Sequence, residues 1–94
     1  MMTATGTFST ENASKYLVQL CKHFAHKIDV TYTEDAGNCS FPMGTVSMTA
    51  TSEQLRVDVE VADTEGLKHV KHVIDVHLKR FAFREEFKNM DWSV

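Results

Sequence analysis

Strict alternation over seven residues sets the first constraint on this chain. Leu55, Val57, Val59 and Val61 are apolar, and Arg56, Asp58 and Glu60 between them are charged. Residues two apart point to the same side of an extended strand. The segment is therefore a strand with one buried face and one wet face. Directly after it the period lengthens to about 3.6 residues. Leu67, Val70, Ile74, His77, Leu78 and Phe81 form one stripe of a helix that runs from an Asp63 N-cap to about Phe87, with Glu65 in its first turn. A half-wet strand and a helix with a single apolar stripe bury those faces on each other.

The same change of period occurs once upstream. Thr3 to Phe8 alternates small or apolar residues with threonine and reads as a first strand, weakened by Gly6. Ser9 or Thr10 offers an N-cap. From about Glu11 to about Lys27, Ala13, Tyr16, Leu17, Leu20, Cys21, Phe24 and Ile28 share one helical face. Ile28, Val30 and Tyr32 then alternate with polar residues, and Asp35 and Gly37 signal a turn. Cys39 and Phe41 resume the alternation and Val46, Met48 and Ala50 continue it. Pro42 and Gly44 interrupt that stretch, where a bulge, bend or edge is expected. The order is β-α-β-β-β-α. It predicts an α+β two-layer sandwich, with two helices on one face of an antiparallel sheet, as a single domain over residues 1–94. The other sheet face is rich in threonine and meets water or a second copy. Trp92 is expected to pack back onto the body.

Composition narrows the function classes. A net charge of −3 argues against a general nucleic-acid binder. No apolar run approaches the roughly 20 residues that span a bilayer, so no membrane insertion is expected. Met1 to Thr10 lacks the charged and apolar regions of a signal peptide, which makes the cytoplasm the default compartment. Cys21 and Cys39 form no CxxC and read as reduced thiols. No Ser/His/Asp pattern, nucleophile elbow or glycine-rich phosphate loop appears, and nothing requires a cofactor.

The residues that carry chemistry lie on the helices. Tyr16, His23 and Lys27 share a flank of the first helix, and His77 and Arg84 share a flank of the second, with Arg80 nearby. If the flanks meet, they make a cationic cleft with a phenol at its edge, suited to a small anion, because arginine offers a planar donor fork. The same cations also have a purely structural explanation. They offset helix dipoles at C-termini, and Glu85 or Glu86 can pair with Arg80 or Arg84. His23, His26 and His77 form a candidate metal set, although HxxH lacks the glutamate of HExxH. His69 and His72 make a second three-apart pair, read as solvent-facing.

Two strings also carry a family resemblance. Lys15-Tyr16-Leu17-Val18-Gln19-Leu20-Cys21-Lys22-His23-Phe24-Ala25-His26-Lys27 and His77-Leu78-Lys79-Arg80-Phe81-Ala82-Phe83-Arg84-Glu85 resemble the two signatures of a bacterial family, number 2218 among domains of unknown function. The resemblance covers nearly the whole chain, including the Gly37 turn, the Gly44 region and Trp92. Pro42-Met43 departs from it by greater bulk. It implies a fold similar to the TATA-binding-protein-like sandwich, seen also in the last domain of phosphohexomutases. Members often carry the label 2,4-dihydroxyhept-2-ene-1,7-dioic acid aldolase, but such aldolases need a barrel of about 250 residues, which this chain cannot build. Similar domains also occur attached to siderophore-interacting, FAD-binding reductases, which implies a link to iron acquisition and a ferric siderophore as one possible ligand.

The leading expectation is a non-enzymatic binding or accessory domain for an anionic or metal-chelating ligand. It would be held by Tyr16, His23, Lys27, His77, Arg80 and Arg84. A homodimeric interaction module with no small-molecule site is the alternative, and a small metal-dependent enzyme is a third reading.

Overall fold

The computed structural model describes residues 2–93. In chain order the elements are β1 (Met2–Ser9), α1 (Ala13–Phe24), β2 (Asp29–Tyr32), β3 (Ala36–Phe41), β4 (Gly44–Ala50), β5 (Gln54–Val61), α2 (Thr64–Phe81), a 3-10 turn (Phe83–Glu85) and β6 (Asp91–Ser93). The strands form one antiparallel sheet in the order β2-β3-β4-β5-β1-β6. Both helices pack on one of its faces, as the two periods require. Leu55, Val57, Val59 and Val61 of β5 are all buried and meet the inner stripes of α1 (Leu17, Leu20) and α2 (Val70, Ile74, Leu78). Losing one of these buried leucines to alanine costs about 2–5 kcal/mol.

The fold class is the expected one, with two more strands than the pattern gave. The interrupted stretch from Cys39 to Ala50 is not one bent strand but a hairpin. Phe41 pairs with Gly44, and Pro42-Met43 are the whole connection. Proline suits such a turn because its φ is preset and it has no N–H to leave unpaired. Gly44 is required there. A Cβ on it would lie 2.2 Å from the Glu60 carbonyl oxygen of the neighbouring strand.

The second added strand is the tail. β6 pairs with the outer edge of β1, and the Trp92 ring covers Gly6, where a Cβ would approach it to 2.8 Å. The glycine that weakens the first strand in the sequence is thus the seat of the last tryptophan. Trp92 Nε1 donates to the Asp75 carboxylate at 3.0 Å, and so does the Met90 backbone N–H.

Helix limits also shift. Asp63 caps α2 as expected, accepting from the Gly66 N–H at 2.8 Å. The helix stops at Phe81, followed by the 3-10 turn and by Glu86 in the left-handed region at φ 56°. This reversal buries Phe87 and Met90 against the core. α1 starts after Asn12, with the Thr10 hydroxyl accepting the Asn12 N–H at 3.0 Å, and ends at Phe24. Turn hydrogen bonds from Lys27 and Ile28 to the Phe24 carbonyl then lead the chain into β2.

Candidate functional site

The C-terminal end of α1, the middle of α2 and the β3–β4 hairpin enclose a cleft of about 420 Å³. Phe24 and Phe41 form its floor, edge to face with ring centroids 5.3 Å apart. Met43, at the hairpin tip, and Val73 of α2 add apolar wall, and His23, Lys27, His69 and His77 supply its polar lining. Lys27 also borders a shallower depression of about 470 Å³ toward Asp29 and Ser40, which is largely open to solvent. The enclosed, aromatic-floored cleft is the better site, because an apolar wall removes a ligand from water and an open polar surface does not.

Two imidazoles dominate the helix side of the cleft. The His23 and His77 rings lie with centroids 4.4 Å apart, tilted by 49°. His77 Nδ1 stands 2.6 Å from the Val73 carbonyl oxygen one helical turn earlier. A carbonyl only accepts, so Nδ1 carries the proton and Nε2 keeps a lone pair. His23 titrates below the usual histidine value, first through loss of solvent and then through the electrostatic influence of His77, His26, Lys27 and Arg80 close by. An anion set among these groups offsets that repulsion and favours the protonated ring.

The six ligand-binding candidates separate in space. His23, Lys27 and His77 line the cleft. Arg80 lies close enough to act on His23 without lining it. Arg84 stands over the Phe83 ring, 5.6 Å from its centroid, away from the lining. Tyr16 is 4 % exposed, stacks on Phe8 and donates its hydroxyl to the Glu85 carboxylate. Burial, and then the Glu85 hydrogen bond and charge, push its pKa up to about 12.

Glu85 does not pair with an arginine. It accepts from Tyr16, from the Thr10 hydroxyl at 2.7 Å and from the Asn12 amide at 3.3 Å, and the Tyr16 bond first of all holds its carboxyl below the usual range. Among the described residues the ion pair present is Arg56–Asp58 on the open sheet face, so Lys27, Arg80 and Arg84 have no carboxylate at salt-bridge distance. His26 is exposed and does not line the cleft. Among the described residues no three or more His, Cys, Asp or Glu side chains are arranged to hold a metal ion by themselves.

Of the ten lining residues only His23, Lys27 and His77 belong to the sequence-derived set; Phe41, Met43, His69 and Val73 are among those it missed. A signal for His69 was present, since His69, Val73 and His77 recur every fourth residue on one stripe of α2. That stripe faces the hairpin tip, which the pattern had read as a bend. Cys21 and Cys39 are free and buried, and neither lines the cleft.

A family model described as an uncharacterized protein conserved in bacteria (DUF2218) matches residues 5–93. The chain is also similar to a solved structure, described as the NMR structure of PA4090 from Pseudomonas aeruginosa. The TM-score is 0.82 and the identity 29%, over 99% of this chain and 96% of that one. No curated protein matches the chain.

Proposed function

The chain belongs to this DUF2218 family, whose description names no activity, and from its own cleft we propose that it is a small-ligand-binding domain for an anion with an apolar body. The observation that carries the reading is the pairing of an aromatic floor, Phe24 on Phe41, with a lining of Lys27 and imidazoles. The volume of about 420 Å³ falls in the range of small-molecule sites. The floor takes an aromatic or aliphatic skeleton out of water. Lys27 and the His23 ring hold its carboxylate by charge-assisted hydrogen bonds.

Binding is favoured over catalysis by the state of the residues. Tyr16, the one phenol among the candidates, has its proton committed to Glu85 and a pKa of about 12. The attachment of similar domains to siderophore-interacting reductases adds ferric siderophores to the ligands worth testing.

The experiment is a thermal-shift and calorimetric screen with benzoate, phosphate and ferric siderophores. A ligand of the folded state raises the Tm with concentration. Benzoate is expected to do so and phosphate to do so less, because phosphate leaves the aromatic floor wet. The double variant His23→Gln/Lys27→Met should lose the effect and Arg84→Ala should keep it. Binding should tighten as pH falls from 8 to 6, since the anion favours protonated His23. No shift with any carboxylate, or an equal shift in the double variant, sinks the reading.

A further inference from the structure

His77 is fixed on one side and basic on the other. Its Nδ1–H is committed to the Val73 carbonyl, and Nε2 retains a lone pair. A histidine whose second nitrogen donates to a carbonyl is in the tautomer and orientation in which metal-ligating histidines are found. His23, 4.4 Å away between ring centroids, brings a second imidazole beside it. His69 brings a third imidazole to the same cleft.

Charge decides which metal species fits. None of the residues lining the cleft is acidic, Lys27 lines it, and Arg80 acts on it from close by. A bare dication would meet a positive field there, with no carboxylate to offset it. The same cations attract a metal already wrapped in an anionic chelator. Such a species needs nitrogen donors for its open coordination positions, positive charge for its carboxylates and apolar wall for its carbon skeleton. Imidazole is a ligand for zinc, nickel and copper.

The geometry points to His23 and His77 as a paired imidazole site for zinc, nickel or copper presented as an anionic chelate. This rests on the reading of the cleft as an anion site and names the class of anion. Binding forms two metal–nitrogen bonds and releases the waters that held those positions on the metal; no electron is transferred.

The test is calorimetry of untagged protein with nickel nitrilotriacetate, which is anionic and leaves two positions to water. Nickel ethylenediaminetetraacetate is the control, anionic but with those positions filled by the chelator. The nitrilotriacetate complex should bind at least about tenfold more tightly than the control, and His23→Gln should lose about that factor. His26→Gln and His72→Gln, which remove histidines outside the cleft, should retain it. His77→Gln should behave as His23→Gln, and if it fails to fold, the exposed His23 ring still permits the test. Equal affinity for the two chelates, or unchanged binding in His23→Gln, overturns the metal site. If benzoate then still binds through Lys27, the anion reading stands; if neither chelate nor benzoate binds, both fall.

Discussion

The two ends of the helix pair use similar residues to opposite effect. At one end Thr10, Asn12 and Tyr16 at the start of α1 converge on Glu85 beyond α2, and every one of those side chains has a partner. At the other end His23, Lys27 and His77 stand beside an aromatic floor, and among the described residues only His77 Nδ1 of these three side chains has a hydrogen-bond partner. The first end is a tether and the second is the proposed site. A polar group whose valences are met inside the protein holds the fold together. One left open beside apolar wall is available to a ligand.

The largest effect that separates the two ends should come from the hairpin. In Gly44→Ala the new Cβ meets the Glu60 carbonyl, so the hairpin must move off β5. Urea unfolding should show a loss of about 1–3 kcal/mol, and benzoate affinity should fall with it because Met43 and Phe41 move. Glu85→Ala attacks the closed end. It removes the acceptor shared by three side chains, and because those groups are partly exposed the loss should be about 1–2 kcal/mol. Benzoate binding should be unchanged; a matching loss of binding would mean that the two ends are one unit.

The closed end should also set the outer limits of pH stability. The Glu85 carboxyl is depressed in the folded state, so its stabilisation is present above the ordinary carboxyl pKa and is lost as pH falls through the folded value. The Tyr16 hydroxyl is raised to about 12, so its contribution is present below the ordinary tyrosine value and is lost as pH rises through about 12. Tyr16→Phe should flatten both limbs in a Tm-against-pH profile. His23 is depressed, so its share is present above the ordinary histidine pKa and declines as pH falls through its folded value, a small slope that His23→Gln should remove. The smallest effect belongs to the open end. His23→Gln and Lys27→Met should change stability by no more than about 0.5 kcal/mol, while abolishing the response to benzoate.

Much of the fold was legible because its signals are local. Alternation in β5, the stripe of α2 and the Asp63 cap each lie within a few residues, and each appears where the pattern put it. The hairpin was hidden because two-residue turns usually announce themselves with glycine or asparagine in the loop; here the loop is Pro42-Met43 and the glycine follows it. β6 was hidden because three residues carry no period, and its partner Gly6 lies almost a whole chain away. The site was half legible for a geometric reason. A helical wheel shows that Tyr16 and His23 share a flank, but it discards the axis, along which seven residues span roughly 10 Å. One flank therefore held both a tether residue and a site residue. Glu85 as the partner of Tyr16 is a tertiary fact with no local signature.

The docking of Trp92 bears on how this molecule can be watched. The chain has a single tryptophan, and its indole rests on Gly6 and hydrogen-bonds Asp75. Asp75 lies on the flank of α2 opposite Val73 and His77. Intrinsic fluorescence is thus a sensor for release of the tail from β1 and is blind to the cleft. A silent emission spectrum during titration is compatible with full occupancy, whereas the imidazole resonances of His23 and His77 report on the ligand directly.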